Sequence, residues 1–125
     1  MTDQPHHTRY TIPQGSRGLP DVEFEGTILA HVDGRGDRAT GSIYWSEFTL
    51  YETRGGAWIL DAAAISDTAG KASYHNLTVI PATLDRAARL TQLRSALTGR
   101  SGKVTPLGRR LLIAIGAEKP TLWID

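Results

Sequence analysis

Phe48-Thr49-Leu50-Tyr51-Glu52-Thr53-Arg54-Gly55-Gly56-Ala57-Trp58-Ile59-Leu60-Asp61-Ala62 is the stretch whose reading decides the fold. Two runs, 42–53 and 57–66, flank Arg54-Gly55-Gly56, and glycine supplies the positive φ that a tight hairpin loop needs. A three-residue loop sets Leu50 opposite Leu60, Phe48 opposite Ala62 and Tyr51 opposite Ile59. A two-residue loop would set Leu50 opposite Asp61. Because a one-residue slip exchanges the two faces of a strand, the first register is favoured. In that register Phe48, Leu50, Leu60 and Ala62 make one apolar face, while Ile43, Trp45, Tyr51, Ile59 and Ile65 lie on the other.

Upstream, Val22, Phe24, Gly26, Ile28, Ala30 and Val32 alternate with Glu23, Glu25, Thr27, Leu29, His31 and Asp33. This alternation predicts a half-buried strand over 22–33, apolar set inward and the other set toward water. Gly34-Arg35-Gly36-Asp37 closes it as a loop. Downstream, a turn at Asp67–Lys71 leads to a fourth strand over 73–80, stopped by Pro81. Helical spacing then takes over: Ala87, Leu90, Leu93 and Leu97 fall at intervals of three and four, with Thr83 as N-cap and Gly99 as stop. Thr105-Pro106 reads as a second N-cap with proline at the first helical position. It opens a helix over 106–116, although Leu111–Ile115 also reads as a strand. Residues 1–20, rich in proline, glycine and polar groups, read as a flexible tail, and Thr121–Ile124 as a short extended segment.

The chain has 125 residues, 40% hydrophobic and 22% charged, which fits one domain with one core and excludes global disorder. The fold class is therefore α+β: a four-stranded antiparallel meander followed by two C-terminal helices packed on one sheet face, a single domain over 21–125. The absence of cysteine removes disulfides, thiolate metal sites and cysteine nucleophiles. No apolar run approaches the roughly 18–20 residues of a membrane span, and no secretory pattern opens the chain. A cytoplasmic location with no membrane association is expected.

Residues 1–81 carry six basic and ten acidic side chains, whereas 82–125 carry eight basic and three acidic, so the net charge runs from −4 to +5. The basic excess lies in Arg86, Arg89, Arg94, Arg100, Lys103, Arg109 and Arg110. Such a segment either packs beside the acidic sheet or binds phosphate backbones. Exposed Asn, Gln and aromatic groups that read or stack on bases are scarce there. Thr98-Gly99-Arg100-Ser101-Gly102-Lys103 lacks the glycine spacing and the Ser/Thr of a phosphate-binding loop. His31 and Asp33 share the polar side of one strand, and His75 would join them as a metal site only if its strand lay alongside, facing the same way. Glu23 and Glu25 read as the polar side of a strand rather than an acid–base pair, and His6-His7 as a tail feature.

Phe24-Glu25-Gly26, Leu29-Ala30, Trp45-Ser46-Glu47 and Leu50-Tyr51-Glu52-Thr53-Arg54-Gly55-Gly56-Ala57-Trp58-Ile59 resemble the central sheet segment of the small, uncharacterised bacterial proteins of the EXLDI family. The resemblance covers under a third of the chain and implies no activity, cofactor or catalytic residue. With the helices on one sheet face, Ile43, Trp45, Tyr51 and Ile59 look outward from the other, the kind of aromatic patch that serves contacts. The expected function is a small non-catalytic binding or regulatory domain that meets a protein partner or a second copy through this patch. The alternative is a nucleic-acid-associated regulator using the basic segment. A metal-dependent enzyme built on His31, Asp33 and His75 comes third. No cofactor is expected.

Overall fold

The Arg54–Gly56 loop closes with the Thr53 N–H donating to the Ala57 carbonyl at 2.8 Å and the Gly56 N–H donating to the Thr53 carbonyl at 2.8 Å. Gly56 takes a φ of 90°, which a side chain would strain. A three-residue loop fixes the hairpin register, and Phe48↔Ala62, Leu50↔Leu60 and Tyr51↔Ile59 pair as the sequence predicts. The computed structural model describes residues 7–37, 43–66 and 72–119. The turn expected at 67–71 and the extended segment expected at 121–124 lie outside these residues.

Five strands, in chain order, form one antiparallel sheet: β1 (Thr8–Ile12), β2 (Val22–Asp33), β3 (Tyr44–Thr53), β4 (Trp58–Ser66) and β5 (Ala72–Ile80). Two helices follow, α1 (Arg86–Ala96) and α2 (Pro106–Ala114). The α+β class holds, but the sheet has five strands rather than four and curls into a half-barrel. The additional strand corrects the reading of 1–20 as a tail for Thr8–Ile12. Thr8-Arg9-Tyr10-Thr11-Ile12 does alternate, and Tyr10 and Ile12 sit opposite Phe24 and Val22. The curl brings the two ends of the sheet together. Ile12 of β1 packs in one cluster with Ile59 of β4 and Leu77 of β5, and Arg17 reaches Asn76 on β5 at 3.0 Å.

The rear face carries the main core. Ala30, Leu50, Trp58, Leu60 and Ile80 from the sheet meet Leu93 and Leu97 of α1 and Leu111 and Leu112 of α2. Burying each such leucine stabilises the fold by about 1.5–3 kcal/mol. Asp85, not Thr83, caps α1, accepting from the Ala88 N–H at 2.8 Å, because Pro81–Leu84 is spent on a turn closed by the Leu84 N–H. Thr105 caps α2 through the Gly108 N–H at 3.1 Å, with Pro106 in the first turn, as expected. Leu111–Ala114 is helical, which resolves the helix-or-strand alternative there.

β2 departs from its sequence pattern in one consequential way. A bulge between Ile28 and Ala30 inserts Leu29 as an extra residue. Upstream of it, Phe24, Gly26 and Ile28 share the front face with Tyr51 and Thr53; downstream, Ala30 and Val32 share the rear face with Leu50 and Phe48. The six apolar positions read as one face therefore serve two. Phe24 joins Tyr10 and Tyr51 in a front aromatic cluster with centroids 4.9–5.5 Å apart, whereas Ala30 and Val32 belong to the helix-covered core.

β2 and β3 approach closely at Gly26, where a Cβ would fall on the Glu52 carbonyl oxygen and within 3.0 Å of the Thr53 Cα. Both are backbone atoms that cannot swing aside. Gly26→Ala is expected to lower the unfolding free energy by about 2–3 kcal/mol in urea titrations. Gly15→Ala, whose methyl meets nothing within 4 Å, should change it by less than about 0.5 kcal/mol.

Candidate binding site in the half-barrel

The bulge leaves the two ends of the front face chemically different. At one end Ile12, Tyr51 and Ile59 are buried with Tyr10, Phe24 and Leu77 packed against them. At the other, the strands contribute His31 and Asp33 from β2, Glu47 and Thr49 from β3, Asp61 from β4 and His75 from β5. Thr49 pairs with both His31 and Asp61, and His75 with Ala63. Here the half-barrel holds a cavity of about 380 Å³ walled by these polar groups other than His31, together with Arg35, Trp45, Ala63, Ile65 and Tyr51.

Asp61 and His75 form a buried polar pair. Asp61 is 5% exposed, and both its carboxylate oxygens lie within hydrogen-bond reach of His75 Nδ1, at 2.8 and 3.0 Å. That geometry places a proton on Nδ1, which donates to the carboxylate. Among the described residues Nε2 has no hydrogen-bond partner, and His75 lines the cavity. Burial pushes the Asp61 carboxyl above its ordinary value, the nearby Glu47 charge adds to the rise, and His75 opposes it by attraction and hydrogen bonding. The Tyr51 phenol is raised as well, by burial first and then by the charge of Asp61.

His31 Nδ1 lies 2.8 Å from the Thr49 hydroxyl, Asp33 accepts from the Arg35 N–H at 2.6 Å, and His75 is held by Asp61. The three side chains expected for a metal site thus have three different partners. Among the described residues no group of three or more His, Asp and Glu is placed to hold a metal ion. Arg35 extends over the Trp45 indole, 4.5 Å from its centroid, and the indole N–H donates to Glu47 at 3.4 Å. Glu23 and Glu25 are salt-bridged to Arg9 and Arg54.

The outward-looking patch expected on the front is corrected in its exposure. Trp45, Tyr51 and Ile59 are 8%, 9% and 4% exposed, and of the four residues only Ile43, at 42%, is open. Curling of the sheet turns an open face into an interior wall. The basic segment is also largely occupied. Arg89 donates to the carbonyls of Leu84, Gly56 and Ala82 at 2.9, 2.8 and 2.6 Å and lies over Trp58. Arg94 and Arg86 donate to the carbonyls of Ala117 and Ile115, and Arg109 pairs with Glu118. Arg110, itself exposed, is also engaged; Arg100 and Lys103 stand exposed in the loop between the helices.

Asp61, Glu47, Thr49 and Arg35 were not singled out by the sequence. A signal for Asp61 exists: it is the one charge in the otherwise apolar run Trp58-Ile59-Leu60-Asp61-Ala62-Ala63-Ala64-Ile65. No helix among the described residues is long and apolar enough to cross a membrane. Comparisons with protein-family models, curated proteins and solved structures give no match.

The direction of the Asp61 shift sets a pH dependence. A carboxyl raised in the folded state binds its proton more tightly there than in the unfolded chain. Its stability contribution is complete below the ordinary carboxyl value and is lost as pH rises through the folded value. Wild type should therefore lose stability relative to Asp61→Asn between about pH 3 and neutrality. Urea midpoints across that range check this; a relative gain with rising pH would show that His75 outweighs burial.

Proposed function

We propose that the protein is a non-catalytic binding domain whose working surface is the front of the sheet, and that its occupant is a small polar molecule held in the cavity beside His75 and Asp61. The observation that supports this reading is the buried pair itself. An ionisable pair in a protein interior costs several kcal/mol in lost hydration, and an apolar pair of similar volume is often as stable. Ala63 and Ile65 line the same wall, so the sheet accepts apolar groups there. A polar pair kept at such a cost, with both partners lining a cavity, is arranged for contact with something that enters. The volume of about 380 Å³ lies in the range of small-molecule sites, roughly 300–1,000 Å³.

Burial raises the Tyr51 phenol, which argues against a phenolate nucleophile in the cavity. A protein partner, the occupant first expected for this face, would find Ile43 alone of the expected patch open at the surface.

A screen of small polar compounds read through the His75 ring resonances tests the reading. The expected result is saturable binding that shifts His75 and the Trp45 indole, weakened about ten-fold or more in the double variant Asp61→Asn/His75→Gln. That variant keeps a hydrogen-bonded pair without the imidazole, so the fold is retained. Saturable binding unaltered by the double variant, or no shift of His75 by any compound class, would contradict the proposal.

A further inference from the structure

We infer that the occupant of the front cavity carries a flat organic cation, a guanidinium or amidinium group, and that Arg35 competes with that group for the Trp45 ring. This rests on the binding reading above and names the chemistry of the ligand.

The first observation is a like-charge pair. Asp33 and Glu47 lie directly opposite one another on adjacent strands, and both wall the cavity. Carboxylates in that relation repel, and a sheet gains stability from a cation placed between or beside them. The second observation is the stack on Trp45. The guanidinium of Arg35 lies 4.5 Å from the indole centroid, at the distance and over the face where an aromatic ring attracts a cation. The same residue's backbone N–H donates to Asp33 at 2.6 Å, so the short helical turn Arg35–Asp37 is fastened where its side chain reaches the ring. Glu47 in turn accepts from the indole N–H, which draws the carboxylate to the edge of that ring.

Among the described residues the lining holds three carboxylates, Asp33, Glu47 and Asp61, against one guanidinium and one imidazole. A planar cation entering the cavity finds the indole face that Arg35 now covers, with the Asp33 and Glu47 carboxylates in the same lining. A carboxylate ligand meets the same groups as repulsion. Arg35 is therefore a competitor for the site: its removal withdraws its guanidinium from the Trp45 ring and makes the lining more negative, and both effects favour the incoming cation.

Three probes of one shape separate the charges: benzamidinium, benzamide and benzoate. Binding is read by the Trp45 indole N–H resonance, assigned with Trp45→Phe. Benzamidinium is expected to shift that resonance saturably and to bind about ten-fold or more tightly than benzamide or benzoate. Arg35→Ala and Arg35→Gln should both tighten benzamidinium several-fold, at about the scale of one exposed cation–π contact. Circular dichroism checks that both variants remain folded. Equal binding of all three probes, or preference for benzoate, overturns the cation assignment and leaves the binding reading standing. Weaker benzamidinium binding in both Arg35 variants overturns it too, by making Arg35 a ligand contact rather than a competitor. If no probe moves the Trp45 resonance, the assignment also falls, while the compound screen at His75 decides the binding reading separately.

Discussion

The structure depends on one extra residue in one strand. Leu29 bulges out of the β2–β3 ladder, and from that point the strand presents its other face to each side of the sheet. Without the bulge, Ala30 and Val32 would face the front beside Tyr51, and His31 and Asp33 would be driven into the leucines of α1 and α2. With it, Phe24 ahead of the bulge joins the cluster at one end of the half-barrel, and Ala30 and Val32 after it complete the helix-covered core. The polar cavity is what remains on the front once Ala30 and Val32 have gone to the rear. Bulges also increase local twist, which agrees with a sheet that curls far enough for Ile12 on one edge strand to pack near Leu77 on the other.

That dependence explains which parts of the molecule the sequence discloses. The β3–β4 register is legible because two independent constraints agree: the glycines fix the loop length, and only one register brings Leu50 to Leu60 rather than to Asp61. Thr105-Pro106 discloses the start of α2 because a cap and a proline at the first helical turn belong together. β1 is hidden by the prolines and glycines around it, although Tyr10 and Ile12 carry its alternation. The bulge is hidden for a different reason. Apolar residues occupy every even position from Val22 to Val32, so periodicity continues unbroken through Leu29 while the faces exchange. Only the neighbouring strand reveals the switch, and no local rule reports it.

The candidate site was illegible for the same cause. Trp45, Tyr51 and Ile59 do lie together on the front, as their parity says, but curvature converts exposure into burial. Curvature is a property of the whole sheet. His75 was visible as a lone histidine, and its partner Asp61 was visible as a lone charge in an apolar strand. Their meeting at 2.8 Å follows from the β4–β5 register, which places His75 opposite Ala63, next on that face to Asp61. The basic residues of the helical half show the converse. Their number suggested a surface for phosphate, yet Arg86, Arg89 and Arg94 donate to backbone carbonyls at strand, turn and helix ends. Arginine's forked, always-charged donor suits that task, and composition does not distinguish it from recognition.

The exchange of faces across Leu29 is open to direct measurement by proton–proton nuclear Overhauser contacts in solution. The structure requires the Phe24 ring to show contacts with the rings of Tyr10 and Tyr51, and the Val32 methyls to show contacts with the rear core built around Leu50, Leu111 and Leu112. Contacts from Val32 to the Thr49 or Asp61 side chains, or from Phe24 to the leucines of α1 or α2, would mean that β2 keeps one face throughout. The polar cavity would then not exist.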